Sequence, residues 1–327
     1  MKWRAGLAAA LLLTGNAAAG QRSASVRKAE PAFTSLTGEF EVFADATANM
    51  PEAERVKLFR QRFDTLFPGF YEPRGRDEAK YDAQIARALN GFPAIREKYD
   101  AAARSFTTTY ATATTRFRTY FPDYKVTVPV WLVHSLGEMD GGTRTIHGKN
   151  VGVFGADVIA RIHDQKTIGP FLDHELFHFH HARFFPDCDQ LWCGLWQEGL
   201  AVYVASKLNP GAGDRELLLT IPRPIRPEVD AKLDEAMCGV RAKLGSTKKD
   251  DYGALFTGDG PSAAWPPRYG YYVGYLLATK LGEGRTLAQL AHMGPKQVRP
   301  LLERALAGYA CPRVASTLQA PPPAAAR

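Results

Sequence analysis

Apolar positions recur at helical spacing along most of this chain, and only one region carries the β-branched texture of strands. Pro51-Glu52-Ala53-Glu54 reads as a helix start, with proline in the first turn and acids beside it. Phe59, Phe63, Leu66 and Phe67 then repeat at helical spacing. Residues 79–89 and 94–120 continue the pattern, although the threonine-rich run at 107–119 is a poor helix former. A helical N-terminal region over 51–124 follows from this. Residues 20–50 are polar and mixed and read as a flexible or extended lead-in.

Residues 126–133 read as a strand, 137–148 as a glycine-rich loop, and 150–159 as a second strand. There Gly152 and Gly155 would let another backbone approach closely. Helical spacing returns over 168–185, ended by Pro186, with Leu172, Leu176 and Phe179 on one face. A further helix is predicted over 196–208, closed by Asn209-Pro210-Gly211. Helices over 228–244, 269–281, 286–293 and 295–307 follow, with a polar loop over 248–267 that could edge a cleft. The Pro/Ala-rich tail, 312–327, has no core to bury. The fold class implied is α+β, with residues 125–311 as one core and its helical C-terminal lobe.

The first residues stand apart. Lys2 and Arg4 precede an apolar run over 5–13, and Ala17-Ala18-Ala19 offers a cleavage site. Residues 1–19 therefore read as a secretory signal peptide. The run is too short for a permanent anchor, and no cysteine lies near it for lipidation. A bacterial periplasmic or secreted protein is expected, with no stable membrane insertion after cleavage. The formal charge of +7 falls by two, to +5, once Lys2 and Arg4 leave with the leader. That charge is dispersed along the chain, which argues against a nucleic-acid partner. Four cysteines in an exported chain imply two disulfides, for which three pairings exist. The short separation of Cys188 and Cys193 favours that pair, leaving Cys238 with Cys311.

Candidate chemistry centres on His174-Glu175-Leu176-Phe177-His178. On a helix the two histidines lie four residues apart on one face, a spacing that lets both imidazoles hold one zinc ion. Glu175 sits about 100° around the helix from His174, within reach of a water activated there. Downstream lies Leu195-Trp196-Gln197-Glu198-Gly199-Leu200-Ala201, where Glu198, near the start of its helix, supplies a third ligand. Two histidines, a carboxylate and an open fourth position match a catalytic zinc site rather than a structural one.

HExxH followed by a glutamate on a second helix resembles the gluzincin group of zinc metallopeptidases. The Leu195–Ala201 block is similar to the LWxNEGFA block of its aminopeptidase branch, and Tyr271-Tyr272-Val273-Gly274 to that branch's Y-x-x-G helix start. The nearest overall likeness is to a family of predicted zinc-dependent proteases that combine HExxH, EGLAxY and YYxGY helices. The likeness spans about residues 125–310. It implies a small mixed sheet over the metal helix with helical lobes on both sides, and one zinc per chain. It also implies Glu175 as general base and Tyr271 as donor to the oxyanion. In gluzincin-like folds an edge strand beside the zinc holds extended substrate; the run from Val151 to Ala156 is the candidate, through Val151, Gly152, Val153, Phe154 and Gly155. The Gly-Ala-Met-Glu-Asn motif of aminopeptidases is absent, so exopeptidase action of that kind is not implied. A metzincin third histidine would fall at Phe184, which excludes that group.

The expected function is thus an exported zinc metallopeptidase acting on peptides or unfolded proteins. The rivals are a non-catalytic zinc-binding or metal-buffering protein, which has no need of Glu175, and a zinc amidase with a cell-wall substrate. His181 shares the metal face and His180 points elsewhere; neither is required as a ligand once three are supplied. His134 and His163 read first as ordinary strand and loop histidines, with support of the metal ligands or contact with substrate as the alternative.

Overall fold

In a computed structural model the described residues are 33–186, 188–258 and 265–311. The expected signal peptide at 1–19 and the tail at 312–327 lie outside them. Among the described residues the chain is α+β, mostly helical with one four-stranded mixed sheet.

The expected lead-in instead begins the fold. β1 (Phe33–Ser35) pairs in parallel with β2 (Val130–Val133), and α1 (Thr37–Ala46) follows it. Phe40 and Phe43 of α1 are buried against Phe59 and Phe63 of α2 (Glu52–Leu66), with ring centroids 5.7–6.2 Å apart. That burial outweighs the polar residues around them, because apolar area removed from water dominates local preference. α3 (Glu78–Tyr120) is a single helix of 43 residues, begun by the Asp77 side chain, which accepts the Lys80 N–H at 2.9 Å. It runs on through Pro93, with Phe92 and Tyr99 buried on either side. It also keeps its threonine-rich end. Thr109 and Thr115 donate to carbonyls one turn back at 2.9 Å, and Phe117 is fully buried.

The sheet order is β1-β2-β4-β3. β3 (Gly141–Ile146) and β4 (Lys149–Gly155) form an antiparallel hairpin, closed at His147 and Gly148, both at positive φ. β4 runs parallel to β2 on its other side. The glycine-rich loop expected at 137–148 therefore contains an edge strand. The strand expected at 150–159 ends at Gly155 and passes into α4 (Ala156–Ile162). Phe154 of β4 packs between Phe106 of α3 and Phe171 of α5 (Ile168–His181), so the sheet and α5 share one core.

α6 (Leu191–Leu208) starts five residues earlier than Trp196, the predicted start. The carbonyls of Ser246 and Leu244 accept the N–H groups of Leu191 and Trp192 at 2.8 and 3.0 Å, satisfying donors that a helix start leaves open. Beyond it come α7 (Arg226–Asp230), α8 (Leu233–Lys243) and α9 (Lys249–Tyr252). α9 continues into a π turn at Gly253–Thr257, in a stretch expected to be loop. α10 (Tyr269–Gly282), α11 (Leu287–Ala291) and α12 (Pro295–Ala307) close the C-terminal lobe. Disulfides join Cys188 to Cys193 and Cys238 to Cys311, the pairing that spacing favoured. Two disulfides point to an oxidising compartment. No helix among the described residues is long and apolar enough to cross a membrane.

Candidate metal centre

α5 and α6 lie side by side, and α10 crosses α6 so closely that no side chain fits between them. A Cβ at Gly199 would stand 2.2 Å from the Gly274 carbonyl carbon, and one at Gly274 would stand 2.4 Å from the Leu195 oxygen. Glycine at both positions lets the two backbones touch, which brings Glu198 and Tyr271 to the same cleft. α5 is fixed from behind. Asp173, fully buried, accepts Arg116 of α3 at 2.6 Å and Asn209 at the end of α6 at 2.7 Å.

At the front of α5 three donor atoms converge. The Nε2 atoms of His174 and His178 are 2.9 Å apart, and Glu198 Oε2 lies 3.3 Å from each. Zinc bonds of about 2.0–2.1 Å in a tetrahedron hold donors about 3.3 Å apart, so this set fits a zinc ion. Burial, together with the neighbouring His178, keeps His174 below its usual range, and a neutral imidazole is the form that ligates. Burial works to raise Glu198, but the two imidazoles outweigh it and hold the carboxyl far below the carboxylate range.

The cleft holding these groups encloses about 580 Å³, within the size range of ligand sites. Glu175 lines it, and burial pushes its carboxyl up to about 8; the Asp140 and Glu198 charges add to the rise, while His178 and Arg144 oppose it. Asp140 also lines the cleft. His163, 3.1 Å away, bonds to it and, with the Asp140 and Gly141 backbone amides, holds Asp140 low against its burial. His163 thus has the supporting place beside the site that was the alternative reading of it in the sequence. Tyr271 lines the cleft with its ring 6.3 Å from that of His174. Burial keeps its phenol protonated, far above the usual range. Arg268, at positive φ, stacks on the same ring at 4.5 Å. Sequence reasoning missed Arg268, Asp140 and the edge strand; only the tyrosine block three residues on marks Arg268.

The predicted substrate strand needs correction. Val151, Gly152, Val153, Phe154 and Gly155 lie in β4, which is paired on both sides and buried, so its main chain has no open edge to offer. The glycines do admit close neighbours, but these belong to the chain itself. A Cβ at Gly152 would meet the Phe179 ring at 2.8 Å, and one at Gly155 would meet the Met139 carbonyl at 2.1 Å. Among the described residues the edge strand on this side of the sheet is β3, and its Gly141, Gly142 and Thr143 line the cleft. The turn leading into β3 is pinned by Asp157, which accepts the Ser135 and Gly137 N–H groups at 2.6 and 2.7 Å. His181 is buried between Phe177 and Phe185 and stands outside the donor set. His180 faces the other side of α5, as expected.

No family model, curated protein or solved structure matches this chain.

Proposed function

We propose that this chain is an exported zinc metallopeptidase of gluzincin type that cleaves extended peptide segments. One observation carries the reading: three ligating atoms at zinc spacing share a cleft with a buried carboxyl on the same helix and the open edge of a sheet. His174, His178 and Glu198 would hold the ion, which as a Lewis acid polarises a carbonyl and makes water nucleophilic near pH 7.

The chain's own groups supply the rest. Glu175 accepts the proton of the attacking water and returns it to the leaving amine; burial raises its carboxyl, and the charge of an ion held beside it would favour the ionised form that a base needs. Tyr271 stays protonated and donates to the oxygen on which charge develops; loss of one such donor typically costs about 3 kcal/mol of transition-state stabilisation. The Arg268 guanidinium above it adds positive charge to the same side. β3 adds a substrate strand by main-chain hydrogen bonds. A pure metal buffer has no use for Glu175, Tyr271 or an open strand edge.

The test is cleavage of a mixed peptide library by the zinc-loaded mature protein beside Glu175→Gln. Cleavage that disappears in a variant still holding one zinc establishes the peptidase. Full zinc occupancy with no cleavage of any peptide by the wild type refutes it.

A further inference from the structure

The far face of α5 carries a second convergence of ligating groups. His180 projects there towards Asp123, just past the end of α3, and towards His292, at the end of α11. His292 Nε2 lies 3.2 Å from Asp123 Oδ2, and His180 Nε2 lies 3.8 Å from Asp123 Oδ1. The three ligating atoms all fall within 4.8 Å of one another.

His180 itself gives the independent sign. Its ring is fully buried in an aromatic cage, with centroids 4.9 Å from Phe121, 5.4 Å from Phe184 and 5.9 Å from Phe117. Among the described residues neither of its nitrogens has a hydrogen-bond partner. Buried polar atoms are almost always satisfied, and an orphan facing a carboxylate and a second imidazole is the arrangement that a bound cation completes. Asp123 and His292 are partly open to solvent, so an ion has a path in. His180 also sits in the last turn of α5, where the helix end favours positive charge.

We infer that Asp123, His180 and His292 form a second divalent-metal site of zinc type, on the back of the helix whose front carries the first. Two imidazoles and a carboxylate are the donor set of zinc and its transition-metal neighbours rather than of calcium or magnesium. The ion would join three segments remote in sequence: the end of α3, the last turn of α5 and the turn before α12. Its affinity is lower than that of the front site. The Arg183 guanidinium donates to the Asp123 carbonyl at 2.9 Å and lies 3.5 Å from its carboxylate, so it competes for the same charge.

Equilibrium dialysis of the mature chain against zinc, with the metal counted per chain, tests this apart from the proposed peptidase. The wild type takes two ions, the second at least tenfold weaker. A His174→Ala/His178→Ala background takes one, and its melting temperature rises with zinc. Adding His292→Ala or Asp123→Asn to that background abolishes both the ion and the shift. His292 is exposed and Asp123→Asn is isosteric, so neither change threatens folding. The inference is overturned if the background variant takes no zinc, or if its one ion survives both substitutions. His292→Ala alone keeps one ion. A wild type whose only ion is lost in His292→Ala but kept in His174→Ala/His178→Ala would sink the front site and leave this one standing.

Discussion

Gly274→Ala adds one methyl group where α6 and α10 touch. That carbon would stand 2.4 Å from the Leu195 oxygen and 2.8 Å from the Gly199 Cα, against about 3.5–4.0 Å for ordinary contact. Both neighbours are backbone, so no rotamer change relieves the clash, and the helices must part by about 1 Å. Overpacking of this kind costs about 1–3 kcal/mol. The helix-propensity gain of alanine over glycine offsets roughly 1 kcal/mol of it. We expect a net loss of up to about 2 kcal/mol, or up to about 8 °C in melting temperature. The same movement draws Glu198 away from the histidine pair. Metal bonds tolerate only about 0.2 Å, so zinc affinity is expected to fall at least tenfold, although Gly274 touches no ligand. Thermal melts and chelator competition for zinc read the two effects. Gly239→Ala in α8 is the matched control: nothing lies within 4 Å of its Cβ, and a stabilisation of about 0.5–1 kcal/mol is expected. The reasoning fails if Gly274→Ala melts no lower than the wild type and binds zinc equally well.

Two further outcomes are expected. Burial brings His134 down from 6.5 to about 4, so the unfolded chain takes up its proton first. Its contribution is intact above pH 6.5 and is lost as pH falls from 6.5 through about 4, about 3 kcal/mol in all. His134→Asn keeps an acceptor for the Leu136 N–H, and urea titrations should show its stability falling less steeply, by about 1 kcal/mol per pH unit near pH 5; superimposable slopes would refute this. Cys238→Ser/Cys311→Ser opens a link across 73 residues and should cost about 4 kcal/mol in non-reducing urea denaturation, a value that an unchanged midpoint would contradict.

What could be read in the sequence was local. His174, Glu175 and His178 share one helical turn and a half, and Glu198 sits in a distinctive block, so their types and spacing carried the signal. The partners that tune them were not legible. Asp140 with His163, Arg268 over Tyr271, and Arg116 with Asp173 join residues that only tertiary folding brings together. β3 was hidden because Gly141 and Gly142 are weak strand formers, and pairing with β4 makes the strand. The apolar run of β4 looked like a substrate edge because a fully paired interior strand and an edge strand can share a composition. α1 was masked by Glu39, Glu41 and Asp45, which alternate with the buried Phe40 and Phe43.

The open edge of β3 has a consequence for what can enter. An unpaired edge is the part of a sheet most prone to recruit a copy of its own kind, and soluble proteins guard against it. Here the edge is six residues long and lies beside the walls of a cleft of about 580 Å³. A lone extended chain brings free main-chain groups to such an edge; a strand inside a folded sheet has its own already taken by its neighbours. On the proposed reading the geometry therefore sorts by conformation before any side chain is read, admitting loose chains and turning away folded proteins whose strands are already paired.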